Sequence, residues 1–227
     1  PRYFQNDPLK ENSTSSDQQV WPYKRIEIPK KDVSGQQASV CLNKHLAKLA
    51  GTAVAHQYQA LLDPLEIADI SFDTAAILII DPQRSFTEGA WMQSIGHAGK
   101  KDVTPIRLAF DNCAAFLRQY YGGMEIMFTR CPFPADSYGW DRKIDGILNP
   151  DQPYFIKPGN SVLFPPTNGF QPWVEHCLDK DVNTLVFGGC TLNSCVRVSA
   201  IETAAKFQNH NLQVIVDLSL CGARLKN

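Results

Sequence analysis

Short apolar runs alternate with amphipathic stretches along the chain from residue 74 onward. The most apolar run, residues 74–80, ends at Asp81 and is typical of a central strand covered on both faces of a parallel sheet. Further runs predict strands, at 125–129, 154–157, 184–187 and 212–216. Because helical patterns separate these strands, right-handed crossovers are expected. The chain therefore predicts an α/β fold of three layers, α/β/α, with a central, mostly parallel sheet.

Helices are predicted between the strands wherever apolar residues recur at helical spacing. The strongest pattern covers residues 105–121, where Pro105 suits the first turn and Gly122-Gly123 ends the helix. Shorter patterns predict helices at 170–178 and 196–207. Each predicted helix lies between two predicted strands, as a crossover connection requires.

The chain before residue 74 has a different character. Residues 1–37 are polar and predict an extended N-terminal arm, whereas residues 38–62 have a helical pattern that ends at Asp63-Pro64. We therefore divide the chain into the arm, a helical extension over residues 38–73 and an α/β domain over residues 74–227. Arms of this kind pack on their own domain or on a neighbouring subunit, and we expect a homo-oligomer.

Three predicted strand ends carry side chains with complementary chemistry: Asp81, Lys157 and Cys195. Open α/β sheets place their sites at the carboxyl ends of the strands, so we expect these groups to converge. A lysine ammonium favours both carboxylate and thiolate, and the carboxylate can take and return a thiol proton. Cys195 also enters a helix after a Gly-bearing loop, where backbone N–H groups favour thiolate. The alternative is a small buried residue that fills a gap between helix and sheet.

Three segments together resemble a known family: residues 79–86, 156–164 and 189–196, with supporting residues at 199–200 and 214–217. They are similar to the isochorismatase-like cysteine hydrolases, which include nicotinamidases and N-carbamoylsarcosine amidases, over residues 74–224. The resemblance implies the Rossmann-like isochorismatase fold. It also implies that Asp81 is the base, Lys157 the electrostatic partner and Cys195 the nucleophile.

The same resemblance implies a cis peptide bond between Cys190 and Thr191. Such a bond would turn the Thr191 N–H toward the substrate oxygen, beside the N–H of Cys195, and the two would form an oxyanion hole. Without the resemblance, Thr191 would be interpreted as an ordinary loop or helix-capping residue.

The resemblance also bears on metal binding. Nicotinamidases carry an aspartate and two histidines for a divalent metal in the loop after the second strand. The corresponding stretch here, residues 129–140, contains no histidine, and the histidines of the chain are scattered without ligand spacing. We predict no metal and no cofactor, which argues against a nicotinamidase.

Candidate pocket residues lie after the first two predicted strands: Phe86, Trp91, Arg130 and Trp140. Arg130 could hold a carboxylate in a forked pair, and Trp91 or Trp140 could stack on a flat amide. For the aromatic residues, packing in the core or between subunits is an equally open interpretation.

Composition excludes several classes of function. The formal net charge is −1, so the chain has no electrostatic footprint for nucleic acid or for a membrane surface. The longest apolar runs have strand length, and no signal peptide is visible. The 7 cysteines are an odd set without paired spacing, which favours reduced thiols and a cytoplasmic location.

Three hypotheses for function follow. The leading one is a metal-independent cysteine hydrolase that cleaves a C–N bond of a small amide, carbamoyl or ureido compound through a thioester. The second is an isochorismatase-type hydrolase of vinyl ethers, which would not need Cys195 as a nucleophile. The third is a non-enzymatic interaction protein on the same fold, which the joint presence of Asp81, Lys157 and Cys195 disfavours.

Overall fold

The computed structural model describes residues 71–90, 92, 101–133, 135 and 137–226. The predicted arm, the predicted helix at 38–62 and Trp91 lie outside the described residues, so the division of the chain into three parts stays a prediction.

The central sheet has five strands, all parallel, in the order β4-β3-β1-β5-β6. Its central strand is the most apolar run of the sequence, and the neighbours on both sides are the strands predicted at 125–129 and 184–187. The prediction of a parallel α/β sheet is confirmed. A second sheet, the antiparallel pair β2 and β7, was not predicted. The strands are β1 Ala75–Ile80, β2 Lys101–Asp102, β3 Glu125–Arg130, β4 Phe155–Ile156, β5 Thr184–Cys190, β6 Gln213–Gly222 and β7 Leu225–Lys226.

Three helices lie close to their predicted positions: α1 Thr104–Tyr120, α3 Phe170–Leu178 and α4 Arg197–Lys206. A fourth, the short helix α2 Arg142–Asp145, was not predicted. A 3₁₀ turn, Arg84–Phe86, follows β1. The predicted start of the last helix, residue 196, lies one residue before α4, whereas the π-helical turn Leu192–Val196 that precedes α4 was not predicted. Within the described part of the chain, no helix has both the length and the apolar character needed to cross a membrane.

Side chains of β1 alternate between two apolar clusters, one on each face of the sheet. Ala75, Ile77 and Ile79 pack with the buried face of α1, whereas Leu78 and Ile80 pack with residues of α3 and α4. Burying one such large aliphatic side chain stabilises a fold by about 1.5–3 kcal/mol. Burial on both faces explains why this run lacks polar residues, and it confirms the three-layer arrangement.

Gly189 brings two strands together at the edge where the candidate site lies. Its φ is 99°, and a Cβ at this position would lie 2.0 Å from the carbonyl oxygen of Ile80. Only glycine combines this left-handed backbone with so close an approach. Pairing between β5 and β6 is irregular between Phe187 and Gly189. The glycine therefore sets how closely the ends of β1 and β5 approach.

The last strand of the central sheet is longer than predicted. The sequence placed its end near Asp217, but β6 continues to Gly222, and Asp217 lies inside it. The continuation is buried, and it pairs with the end of β5 beyond the irregularity, at Gly189 with Cys221. The Oδ1 of Asp217 accepts hydrogen bonds from the N–H and the hydroxyl of Ser219, whereas its Oδ2 is buried without a hydrogen-bond partner among the described residues. Burial raises the pKa of the Asp217 carboxyl.

Candidate active site

Asp81 lies directly after β1 and is completely buried. Its φ is 46°, in the left-handed region that non-glycine residues rarely occupy, although aspartate tolerates it better than most. The backbone N–H donates to Thr129 Oγ1 over 3.0 Å, and the same hydroxyl donates to Asp81 Oδ1. Thr129 lies on β3, next to β1 in the sheet, so sheet pairing fixes the carboxylate.

Lys157 follows β4 and is also completely buried. Its ammonium lies 2.6 Å from Asp81 Oδ2 and donates to the carbonyl oxygen of Gly159 over 2.9 Å. Burial alone would lower the pKa of Lys157, but the facing Asp81 carboxylate outweighs it and raises that pKa above its usual value. The lysine is therefore a fixed positive charge at neutral pH.

Cys195 lies in the π-helical turn after β5 with 7% of its surface exposed. Its Sγ is 3.5 Å from Asn160 Oδ1. Burial, followed by the negative charge of Asp81, raises the pKa of the Cys195 thiol, whereas the charge of Lys157 and a hydrogen bond with it lower that pKa. The net direction is upward. This direction is opposite to the thiolate that the sequence led us to expect, because burial and the charge of Asp81 outweigh Lys157.

Cys131 also lies in the site, and the sequence analysis did not single it out. It is the first residue after β3 and is half-buried. Its Sγ lies 3.2 Å from Asp81 Oδ2 and 3.7 Å from the Lys157 ammonium. The predicted strand ended at residue 129, so the sequence pointed to Arg130 as the residue at the strand end; Cys131 takes that place because β3 continues to Arg130.

Gln83 holds the backbone of Cys131 from the segment that follows β1. Its Oε1 accepts from the Cys131 N–H over 2.7 Å, and its Nε2 donates to the Cys131 carbonyl over 3.0 Å. The same Nε2 donates to the carbonyl of Tyr138 over 2.9 Å. Gln83 is completely buried, and its hydrogen bonds to Cys131 and Tyr138 hold two loops of the site together.

Thr191 follows β5 and is 1% exposed. The peptide bond between Cys190 and Thr191 is cis, the form that the resemblance implies. The carbonyl oxygen of Thr191 accepts from the N–H groups of Ser194 and Val196, and its side chain hydrogen-bonds to that of Ser194. The role of the Thr191 and Cys195 N–H groups as an oxyanion hole stays a prediction.

Two aromatic pocket candidates lie in the apolar core instead of at an open surface. Phe86 and Trp140 are 3% and 6% exposed, and both belong to the cluster on the α1 side of the sheet. This was the alternative that the sequence left open. Their positions follow from close packing with neighbouring rings, Phe133 against Phe86 and Phe128 against Trp140.

Arg130 is also buried, at the end of β3. Its guanidinium carbon lies 3.5 Å from the ring centre of Trp140, 4.4 Å from that of Tyr154 and 5.0 Å from that of Tyr138. Strand alternation explains this environment: Thr129 points toward Asp81, so Arg130 points to the opposite face. Its predicted contact with a substrate carboxylate stays a prediction.

The described ranges contain histidine, cysteine, aspartate and glutamate side chains, the usual protein ligands of metal ions. Among these residues, no three or more histidine, cysteine, aspartate and glutamate side chains are grouped so that they could hold a metal ion. The predicted absence of a metal therefore still depends on the sequence of residues 129–140.

Comparison with known proteins establishes the fold. No protein-family model matches the sequence, and no curated protein matches it. A structure from Chromobacterium violaceum, assigned to the hydrolases of the isochorismatase family, is similar with a TM-score of 0.51 and 16% identity over 69% of this chain and 80% of that chain. An isochorismatase family protein from Desulfovibrio vulgaris has a TM-score of 0.50 and 16% identity over 66% and 83% of the two chains. The chain therefore has the α/β fold of the isochorismatase-family structures.

Proposed function

We propose that this protein is a metal-independent cysteine hydrolase that cleaves a C–N bond of a small amide, carbamoyl or ureido compound. The observation that carries the proposal is the buried ion pair of Asp81 and Lys157, 2.6 Å apart, with Cys195 near enough for both charges to act on the pKa of its thiol. The likeness of the fold to structures of isochorismatase-family hydrolases supports a hydrolase in general.

The pKa direction of the thiol determines the first step of the proposed mechanism. Because the Cys195 thiol is protonated at neutral pH, it needs a base when the substrate arrives. Asp81 takes the proton, and the thiolate attacks the carbonyl carbon and forms a C–S bond. The carbonyl π electrons move to oxygen, which the N–H groups of Thr191 and Cys195 stabilise in this proposal. Lys157 keeps its positive charge throughout and stabilises the negative charge at Asp81 and Cys195.

Collapse of the tetrahedral intermediate completes the proposed acylation. The C–N bond breaks as Asp81 returns its proton to the leaving nitrogen, which departs as ammonia or an amine. Asp81, again a carboxylate, takes a proton from water, and the resulting hydroxide attacks the thioester. The C–S bond then breaks, the Cys195 sulfur takes the proton from Asp81, and the acid is released. The substrate is small in this proposal, because the thiol lies in a site that leaves only 7% of Cys195 exposed.

A screen for released ammonia over small amides, carbamoyl compounds and ureas tests the proposal. We expect the wild type to hydrolyse at least one compound. Rapid acid quenching should trap the acyl-enzyme, which is detected as a mass increase on Cys195 equal to the acyl group of that compound. The matched control is Cys177→Ala, which removes a buried thiol of α3 and should leave ammonia release unchanged. Release of ammonia without any acyl adduct on Cys195 would contradict the covalent mechanism.

A further inference from the structure

A second thiol contacts the same carboxylate that the proposed reaction uses as its base. We infer that Cys131 is a positioning residue of this site: its thiol donates to Asp81 Oδ2 and thereby reserves Oδ1 as the oxygen that takes the Cys195 proton. The inference rests on the proposed function for the identity of the proton transfer, although its contacts are independent of any substrate.

The hydrogen bonds at Asp81 distinguish its two oxygens. Oδ2 faces two donors, the Lys157 ammonium at 2.6 Å and the Cys131 thiol at 3.2 Å. Oδ1 accepts from the hydroxyl of Thr129. A carboxylate offers about four lone-pair positions, two on each oxygen. The three donors therefore fill Oδ2 and leave one position on Oδ1, which becomes the acceptor for a further proton.

The backbone of Cys131 is fixed by a side chain dedicated to it. Gln83 accepts from its N–H over 2.7 Å and donates to its carbonyl over 3.0 Å, which matches the hydrogen-bonding pattern of a peptide group on both sides. Gln83 is itself completely buried and cannot exchange these partners for water. Such an outer contact orients the groups that touch the reacting atoms.

Cys131 remains a donor at neutral pH. Burial, followed by the negative charge of Asp81, raises the pKa of the Cys131 thiol well above its usual value, and Lys157 opposes this shift without reversing it. The S–H dipole then points its positive end at Asp81 and reduces the negative potential that the carboxylate exerts on the nearby Cys195 sulfur. Removing this donor should make Cys195 harder to deprotonate.

Alkylation kinetics test the inference without a substrate. Iodoacetamide is added at pH 8 to the full-length chain, and the initial rate at Cys195 is measured by peptide mass spectrometry at low conversion, separately from any reaction at Cys131. Cys131→Ala removes the donor, Cys131→Val removes it at similar volume, and Cys131→Ser retains a donor. We expect Cys131→Ala and Cys131→Val to slow alkylation of Cys195 roughly two- to tenfold, because losing one hydrogen bond shifts an equilibrium by about that factor. Cys131→Ser should stay within about twofold of the wild type.

Equal rates in the wild type and the Ala and Val variants would overturn the inference. Slowing by Ser to the level of Ala would also overturn it, because a purely structural perturbation has that signature. Thermal unfolding checks that each variant is folded, and if Ala fails to fold, the comparison of Val with Ser decides. Cys177→Ala is the control and should not change the rate at Cys195.

The outcome is separable from that of the proposed function. If the wild type releases no ammonia from any compound, the proposed function fails. The alkylation rates still test whether Cys131 acts as a positioning residue. If a substrate is found, Ala and Val should lower kcat with little change in KM, and Ser should restore kcat. A changed KM with unchanged kcat would indicate that Cys131 binds substrate and would overturn the positioning role.

Discussion

The ammonium nitrogen of Lys157 lies 2.6 Å from Asp81 Oδ2, and neither side chain is exposed to solvent. Removing two charges from water costs several kcal/mol for each ion, and their attraction does no more than offset this cost when the geometry is good. Replacement by apolar residues is often neutral or stabilising for a fold. This pair is therefore better explained by the chemistry of the site than by the stability of the sheet.

Lys157→Met should destabilise the protein by roughly 3–5 kcal/mol, since it leaves the Asp81 carboxylate buried without its counter-ion. Urea denaturation gives the free energy of unfolding. The matched control is Arg142→Met, which breaks an exposed ion pair with Glu88 and should cost about 0–1 kcal/mol. Similar losses in both variants would contradict the assignment of Asp81 and Lys157 as a tightly coupled buried pair.

Alkylation of Cys195 should depend on pH in the direction that burial sets. Because the pKa of the Cys195 thiol is raised, the thiolate fraction increases only as pH rises above the range of an ordinary cysteine, about 8.5. We expect the rate of reaction with iodoacetamide to keep increasing above this pH in the folded protein. The same residue in urea-unfolded protein supplies the reference midpoint. A midpoint in the folded protein at or below this reference would show that Lys157 and the backbone N–H groups outweigh burial.

Cys195→Ala should abolish turnover of any substrate found in the ammonia screen, by several orders of magnitude, as loss of a covalent nucleophile does in other enzymes. The fold should persist, because the change removes one sulfur atom and leaves a small void, with a loss of about 1 kcal/mol of stability. Steady-state kinetics and thermal unfolding measure the two effects. Turnover close to that of the wild type would exclude the cysteine mechanism.

Gly189→Ala should destabilise the protein strongly, since the new methyl group would lie 2.0 Å from the carbonyl oxygen of Ile80 on a backbone with φ of 99°. The left-handed backbone alone costs about 1–2 kcal/mol for a residue with a Cβ, and the clash adds to it. Gly146→Ala is the matched control, because nothing lies within 4 Å of a Cβ at that position. Thermal unfolding should separate the two variants, and equal melting temperatures would contradict the close approach of β1 and β5.

Hydrophobic patterns predicted the sheet, and the resemblance named three residues of the candidate site. Apolar runs flanked by amphipathic patterns indicate buried parallel strands, because a strand covered on both faces cannot tolerate polar residues. The ends of such strands meet at one edge of the sheet, so Asp81, Lys157 and Cys195 could be expected together before any coordinates. The π-helical turn before α4 was not predicted and the end of β6 was predicted wrongly, since such a turn and a strand irregularity depend on contacts that local patterns do not record.

The electrostatics of the site and the presence of Cys131 in it depend on the folded molecule. Whether a thiol is a thiolate depends on the balance between desolvation and nearby charge, and burial is a property of the packed molecule. Cys131 lies in the site because β3 pairs with β1 and because Gln83, which is distant in sequence, hydrogen-bonds to its backbone N–H and carbonyl. The burial of Phe86 and Trp140 has a similar cause. Each packs against an aromatic ring from another segment of the chain, Phe133 or Phe128, and sequence spacing does not specify such contacts.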